Sequence, residues 1–505
     1  MENNFIKSLK KETNYTNTEN GAVAAKTTLN AVYDLFALGG AYRKRTKEDK
    51  ILLFKKAVEE NPLLALKCLF YLRAIRGGQG ERDFFKTCYN WFCKEYSAVA
   101  AKNLHLIPYY GRWDDLYCTL DTPVEQEMFN FIEKQLERDS LSLKNEKEGV
   151  SLLGKWLKSE NTSSKESRKL ATRTRKALKL TSKQYRKILS ALRTRINIVE
   201  KLMSENRWEE IDFATIPSKA GLIYRNAFAH NDIIAQKYAD FINSKDTAVK
   251  AATLYPYEIV NKVTSKFCSY WGHDLEIDEI ERATLNKYWE NQKDYLEGKA
   301  CRTMCVVDTS GSMTCGNNPK PIDVAISLGM YCAERIGEPF RNYFISFSSR
   351  PQLIEVEGID FCDKVNRIYK QNLCQNTDLG AVFNLLLHLA IDQNLNENEI
   401  PEQIIVISDM EIDSGSCWND DEERTYEMQK IREKWIAAGY RMPKLVYWNV
   451  DARHNVILED ANNSDVTFVS GCSPVIFKAV LNGKSGIDLM LETLADSYYN
   501  PIVFD

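Results

Sequence analysis

The segment 308–312 reads Asp-Thr-Ser-Gly-Ser and carries oxygen-bearing side chains at alternate positions, one carboxylate followed by two hydroxyls. It follows the nearly apolar run Thr303–Val307, which is long enough for a strand buried on both faces. In a loop leaving a strand, this alternation can direct the oxygens of Asp308, Ser310 and Ser312 at one point. Oxygen ligands with few net charges suit a hard divalent cation such as Mg²⁺, although Ser, Gly and Asp are also common in ordinary turns.

Two later stretches are expected to bring a third hydroxyl and a second carboxylate to the same place. Thr377 stands where a loop enters a helix, within Asn376–Leu379. The run Gln403–Asp409 is typical of a buried strand that ends at Ser408 and Asp409. Because open α/β sheets place their sites outside the carboxyl ends of the strands, the sequence predicts one metal site. Its predicted ligands are Asp308, Ser310, Ser312, Thr377 and Asp409.

Two more carboxylates, Glu411 and Asp413, follow the second strand directly. They can tune the ion or hold a second one; the alternative is that they are loop carboxylates at the approach to a helix. No His, Cys or Lys that could act as a base lies in a motif near Asp308. We therefore expect the protein not to be an enzyme.

Composition bounds the class of protein. The chain has 505 residues, of which 44% are hydrophobic and 27% charged, as in soluble multidomain proteins. No apolar run reaches the roughly 18 residues of a membrane span, and residues 1–20 contain no signal-peptide core. The 13 cysteines include no Cys-x-x-Cys pair, which favours buried reduced thiols. These features predict a cytoplasmic protein without a membrane partner.

One segment, 155–195, carries most of the positive charge of the chain. It holds 14 Lys and Arg against 2 Glu, a net charge of +12, so the rest of the chain carries −15 because the total is −3. A solvated helical face is the ordinary explanation for a charge run, but this excess favours contact with a polyanion. The residues predicted to contact RNA are Arg168, Lys169, Arg173, Arg175, Lys176, Lys179, Lys183, Arg186 and Lys187.

Hydrophobic periodicity divides the chain into three parts. Residues 1–21 are polar and are predicted to be disordered. Residues 22–299 read as helices joined by short turns, which predicts a HEAT-like α-solenoid that contains the basic segment. Residues 300–505 alternate strand and helix, which predicts a doubly wound α/β domain with a mostly parallel sheet.

The five oxygen-bearing residues, taken in order, resemble the metal-ion-dependent adhesion site (MIDAS) of von Willebrand factor A domains. The resemblance implies that Ser310, Ser312 and Thr377 coordinate the ion directly or nearly so. It implies that Asp308 and Asp409 act largely through water, leaving one position for an oxygen of a ligand. The expected cofactor is Mg²⁺, or another hard divalent cation such as Mn²⁺ or Ca²⁺.

From about Val32 onward the chain also resembles a family of functionally uncharacterised proteins known from plants and found in microbes and phages. This resemblance indicates little about the function of the chain, because the family is functionally uncharacterised. The segments that carry it are Ile75–Arg82, Leu254–Val260, Val307–Met313, Ser346–Ser348, Asn376–Asp378, Ser408–Glu411 and Val469–Gly471.

The order of a helical-repeat part followed by an A-like domain is similar to that of the Ro autoantigen and its bacterial relatives, which share the telomerase, Ro and vault module. Those are ring-shaped RNA-binding proteins in which the A domain closes the ring. The resemblance and the basic segment together predict a non-enzymatic, Ro-like RNA-binding protein. The alternative is a cation-dependent scaffold that grips a carboxylate of a protein partner through its metal site.

Overall fold

The computed structural model describes residues 10, 13–145, 148–267, 275–297, 302–316, 319–347, 350–371, 377–413, 427–459, 463–482 and 484–505. Within these ranges a helical part comes first and a six-stranded sheet with flanking helices follows. The helices of the first part are α1 Ala31–Leu38, α2 Lys47–Glu60, α3 Pro62–Arg73, α4 Arg82–Glu95, α5 Ser97–Asn103, α6 Ile107–Tyr110, α7 Glu125–Ser142, α8 Leu153–Trp156, α9 Lys165–Ala177, α10 Ser182–Ile196, α11 Val199–Ser204, α12 Ser218–Ala229, α13 Ala235–Asn243, α14 Pro256–Thr264 and α15 Glu279–Glu290.

Local sequence explains where several of these helices begin. Thr46 accepts a hydrogen bond from the Asp49 amide at the start of α2. Asn61 ends α2 and caps α3, whose first residue, Pro62, has no N–H to leave unsatisfied. No helix in the described ranges combines the length and the apolar character that crossing a bilayer requires.

The second part is built on six strands, β3 Thr303–Asp308, β4 Tyr343–Phe347, β5 Gln352–Glu355, β6 Gln403–Ser408, β7 Lys444–Asn449 and β8 Val466–Ser470. They lie in the order β5-β4-β3-β6-β7-β8 in the sheet, all parallel except β5, which runs antiparallel to β4. The two buried strands that the sequence predicted, Thr303–Val307 and the run that ends at Ser408 and Asp409, are confirmed to within one residue. The helices are α16 Pro321–Arg335, α17 Phe361–Lys370, α18 Leu379–Asp392, α19 Glu427–Ala437, α20 Val475–Val480 and α21 Gly486–Ala495.

Strands β3 and β6 lie side by side at the centre of the sheet, in a register that pairs Val307 with Ile407. Every residue of β3 is buried, as expected for a strand covered on both faces. This pairing brings the carboxyl ends of the two strands together. Asp308, the last residue of β3, and Asp409, the residue after β6, therefore lie at the same edge of the sheet.

The prediction of disorder up to residue 21 is wrong for residues 13–21. Tyr15–Asn17 (β1) and Val23–Ala25 (β2) form an antiparallel hairpin. Ala25 then pairs with Ile457, in the loop after β7, through two backbone hydrogen bonds of 2.8 and 2.9 Å. The segment is also held by residues far away in the sequence, since the Glu19 amide donates to Glu411 and the Thr18 hydroxyl donates to the Ile412 carbonyl, so local composition did not predict its order. Residues 1–9, 11 and 12 lie outside the described residues.

The glycine-rich segment between α3 and α4 is an interhelical turn. Gly80 has a φ of +68°, and a β-carbon there would lie 1.8 Å from the hydroxyl of Tyr255. That hydroxyl donates to the carbonyl of Gln79 at 2.9 Å, which fixes the turn against the start of α14. Two of the segments that carry the family resemblance therefore meet here and serve packing.

The helical part and the sheet share one hydrophobic core. On one side the Phe468 amide of β8 donates to the hydroxyl of Tyr33 in α1, at 2.8 Å. On the other side the C-terminal residues pack against the helices. The side-chain amide of Asn103 donates to the Val503 carbonyl at 2.8 Å and accepts from the Val503 backbone N–H at 3.1 Å. The joint predicted at 298–300 lies outside the described residues. The HEAT-like repeat and ring closure remain predictions.

Candidate functional site

The carboxylate of Asp308 lies fully buried at the end of β3. Its Oδ1 accepts a hydrogen bond from the Ser310 amide at 2.9 Å, and its Oδ2 accepts one from the Ser408 hydroxyl at 2.5 Å. A short 3-10 turn at Gly311–Thr314 then places the hydroxyl of Ser312 at 3.1 Å from that of Ser310. The first three predicted ligands thus form one compact group.

Asp409, the predicted second carboxylate, follows β6 and is also buried. Its Oδ1 accepts from the Glu411 amide at 3.2 Å, and its Oδ2 pairs with Arg453 at 2.9 Å. Burial raises the pKa of Asp308 to about 7, and the negative charge of Asp409 adds to this effect. Burial likewise raises the pKa of Asp409, while Arg453 and the Ser312 hydroxyl oppose the increase. Two buried carboxylates that repel each other favour a cation between them.

Thr377 joins the group through the loop that follows Asp409. Its amide donates to Asp413 at 2.9 Å, and its hydroxyl donates to the Glu411 carbonyl at 3.3 Å. The side chain of Asn20, from the turn between β1 and β2, donates to the same hydroxyl at 3.2 Å. The structure therefore places Asp308, Ser310, Ser312 and Asp409 close together. Thr377, the fifth predicted ligand, contacts the carbonyl of Glu411. Asn376, beside Thr377, lies outside the described residues.

Sequence reasoning missed Arg453, Glu19 and His454. Arg453 bridges Asp409 and Glu19, the latter at 2.7 Å. His454 lies 2.9 Å from Oε1 of the buried Glu411, whose Oε2 accepts from the Glu19 amide at 2.6 Å. The signal that could have found Arg453 and His454 is their position beyond the end of β7, at the same sheet edge. No local signal points to Glu19.

The donor set has the chemistry that a hard cation requires. Asp308, Ser310, Ser312, Thr377 and Asp409 offer oxygen atoms only, and the two carboxylates balance a divalent charge. Arg453 supplies part of that positive charge in this structure through its contact with Asp409. Glu411 and Asp413 anchor the loop to its neighbours, as the reading of them as loop carboxylates expects.

The basic segment folds into α9 and α10, each with one apolar face against the core. Ala171, Thr174 and Leu178 are buried on α9, and Tyr185, Leu189 and Leu192 on α10. Of the nine residues predicted to contact RNA, seven are exposed. They are Arg168, Lys169, Lys176, Lys179, Lys183, Arg186 and Lys187. We refer to these seven as the basic surface.

The remaining two predicted RNA contacts are engaged by acidic residues. Arg173 pairs with Asp121 at 2.7 Å and with Glu125 at 2.5 Å, and it is only partly exposed. Arg175 pairs with Glu160 at 2.7 Å. Both arginines therefore fasten α9 to its neighbours. One face of α9, formed by Lys165, Arg168, Lys169, Thr172, Arg173 and Lys176, is nevertheless widely open to solvent.

Comparison with known proteins gives two family matches, one protein of similar sequence and one solved structure. Residues 302–497 match the domain of unknown function DUF7788, and residues 18–149 and 151–299 match the domain of unknown function DUF2828. The uncharacterized protein L728 of Acanthamoeba polyphaga mimivirus is 27% identical over 524 residues, covering 96% of this chain and 88% of the viral protein.

Among solved structures, the Deinococcus radiodurans RO (RSR) protein superposes with a TM-score of 0.47 at 14% identity, covering 94% of this chain and all of that one. The DUF2828 model covers more than half of the sequence. This chain belongs to the DUF2828 family.

Proposed function

We propose that this protein is a non-enzymatic RNA-binding protein of Ro-like organisation, which contacts RNA through its basic surface and holds a divalent cation in an A-like domain. The observation that carries the proposal is the concentration of exposed cations. The seven exposed Lys and Arg residues of the basic surface lie on α9, on α10 and in the turn between them, in a chain whose other residues sum to a negative charge. A polyanion is the partner that such a surface fits best.

The chemistry of the basic surface favours phosphates over bases. Tyr185, the one aromatic residue of α9 and α10, is buried, and its hydroxyl donates to the Lys158 carbonyl. No aromatic side chain on these two helices is therefore presented for base stacking. Lysine and arginine alone read the backbone, so we expect RNA binding with little dependence on sequence.

For the candidate metal site we propose Mg²⁺, held by the MIDAS-like set Asp308, Ser310, Ser312, Thr377 and Asp409. When bound, the ion would supply a positive centre able to accept an oxygen atom of a ligand. Asp308 and Asp409 balance its charge, and the hydroxyls contribute neutral oxygens. Ser312 is partly exposed and Gly311 is exposed, so the group is reachable from solvent.

That accessibility also favours the alternative function, a scaffold that grips a partner carboxylate through the ion. The two functions differ in the surface they require. RNA binding needs the basic surface and depends little on the ion, whereas carboxylate binding needs the ion and does not need the basic surface.

The discriminating experiment replaces Lys169, Lys176, Lys183 and Lys187 with Gln in the full-length protein. The control replaces four exposed lysines elsewhere, Lys94, Lys144, Lys434 and Lys478, with Gln, so that the net charge changes equally. Binding of a fluorescent single-stranded RNA is measured by anisotropy at low salt. We expect the first variant to lose at least tenfold in affinity and the control to stay within about twofold of wild type. Equal binding by the two variants would reject the RNA-binding proposal and favour the scaffold.

A further inference from the structure

Three cationic side chains converge on the single carboxylate of Asp114, in the 3-10 turn that follows α6. Arg82 and Lys158 approach its Oδ2 at 2.8 and 3.0 Å, and Nε of Arg112 approaches its Oδ1 at 3.2 Å. The side chain of Asp114 is only 4% exposed, so its negative charge is neutralised by the cations of this cluster.

The neighbouring Asp115 does not remove the imbalance. Its carboxylate is buried against Arg73, which donates to it twice at 2.5 and 2.9 Å, and Arg82 donates to its other oxygen at 2.6 Å. The two carboxylates thus face four cations, which leaves a net charge of +2. These residues, referred to below as the turn cluster, are Arg73, Arg82, Arg112, Asp114, Asp115 and Lys158.

Arg112 experiences this surplus most directly. Burial lowers the pKa of its guanidinium, and the nearby charge of Arg82 adds to the effect while Asp114 opposes it. Nε of Arg112 is buried beside Oδ1 of Asp114, and the guanidinium lies 4.2 Å from the centre of the Trp156 ring. The two terminal nitrogens of the guanidinium donate no hydrogen bond to a residue in the described part of the chain, so they are the donors available for another acceptor.

The three outer cations keep part of their surface in solvent. The exposed fractions of the side chains are 38% for Arg82, 28% for Arg112 and 29% for Lys158. The side chain of Arg73 is only 3% exposed, and it pairs with Asp115. An acceptor arriving from solvent can therefore reach two guanidinium groups and one ammonium group at the same place, a combination that matches the oxygens of a phosphate.

The turn cluster adjoins the basic surface. The carbonyl of Lys158 accepts from the hydroxyl of Tyr185 in α10, and Glu160, two residues on, pairs with Arg175 in α9. The segment 158–160 thus packs the cluster against both helices that carry the basic surface.

We propose that Arg82, Arg112 and Lys158 form a binding site for one phosphate group. The inference deepens the proposed function and rests on it for the source of the phosphate, which is the RNA backbone. A free phosphate or a nucleotide offers the same chemistry, and the two arms of the test separate these sources.

The first arm uses inorganic phosphate and the full-length protein. The melting temperature is measured in phosphate and in chloride at equal ionic strength for wild type and for the double variant Arg112→Gln/Lys158→Gln. The matched control is Lys94→Gln/Lys144→Gln, which removes two exposed charges elsewhere. We expect phosphate to raise the melting temperature of wild type and control by several degrees and to leave the double variant unchanged. An equal phosphate effect in all three proteins, or none in wild type, would overturn the site.

The same arm separates binding from a purely structural role. Lys158 is one of three cations around Asp114, so Lys158→Gln should not lower the melting temperature in chloride, because it relieves a surplus of positive charge. A variant that is destabilised in chloride and still gains the full wild-type increment in phosphate would show that the cluster only holds the fold together.

The second arm measures single-stranded RNA binding by the same proteins. If the site holds a backbone phosphate, Arg112→Gln/Lys158→Gln should weaken binding about tenfold and reduce the slope of log K against log salt by roughly 0.7. A phosphate effect without any RNA binding by wild type would keep the site and reject the RNA proposal. RNA binding that is equal in wild type and double variant would reject the site as an RNA contact and leave the basic surface as the interface.

Discussion

Asp308 and Asp409 are adjacent buried carboxylates, and each needs nearby hydrogen bonds or positive charge to stabilise its ionised form. Ser408 and the Ser310 amide stabilise Asp308 by hydrogen bonds, and Arg453 stabilises Asp409 by an ion pair. These contacts do not offset the burial, because the pKa of each carboxyl stays above its usual range. The residue types and spacing predicted this pair, whereas Arg453 was missed, although its position beyond the end of β7 places it at the same sheet edge.

The pKa of Asp308 leads to a prediction for the metal-free protein. A carboxyl whose pKa rises from 3.8 to about 7 on folding stabilises the fold at low pH, and this contribution is lost as pH rises from about 4 to 7. The loss is on the order of 4 kcal/mol. In EDTA, Asp308→Asn should therefore melt above wild type at pH 8, and the difference should shrink towards pH 4.

Addition of Mg²⁺ at pH 8 provides the complementary measurement. It should raise the melting temperature of wild type and leave Asp308→Asn unchanged, because the variant lacks a carboxylate that balances the ion. A difference between the two proteins in EDTA that is the same at pH 5 and pH 8 would contradict the assignment, as would an equal Mg²⁺ effect on both.

At the scale of elements, the sequence was most informative where local pattern decides structure. Strands β3 and β6 are continuous apolar runs, so their burial and the position of Asp308 and Asp409 at their ends followed from the pattern. The β1–β2 hairpin was not predicted, because its stability comes from distant partners. The Thr18 hydroxyl, for example, donates to the Ile412 carbonyl at 2.7 Å. The pairing of Arg173 and Arg175 with acids outside α9 escaped prediction for the same reason.

The hairpin gives a prediction at this scale. Thr18→Val removes a buried hydroxyl that donates to Ile412 and accepts from the Ala22 amide at 2.9 Å. We expect it to lower the free energy of unfolding by about 1–3 kcal/mol, since two buried partners lose a hydrogen bond. The control is Thr16→Val, on the partly exposed face of β1, which should change stability by less than about 0.5 kcal/mol. Chemical denaturation of both variants measures the difference, and equal values would contradict the role of the hairpin.

At the scale of the whole molecule, the two proposed binding regions lie in different parts of one cooperative structure. The candidate metal site, formed by Asp308, Ser310, Ser312, Thr377 and Asp409, lies at the carboxyl edge of the central sheet. The β1–β2 turn covers it on one side. The basic surface lies on α9 and α10 and adjoins the turn cluster through residues 158–160. Helical content and the positions of the strands along the chain were predictable from periodicity, but the shared core and the contact of the C-terminal residues with Asn103 depend on contacts between distant segments.

The most direct test of the proposed function is the salt dependence of RNA binding by the wild-type protein. The affinity for single-stranded RNA is measured at a series of salt concentrations, and log K is plotted against log salt. If about six of the seven residues of the basic surface each neutralise one phosphate, the slope should be near −4, at roughly −0.7 per phosphate. A slope near zero, or no binding at low salt, would contradict the account.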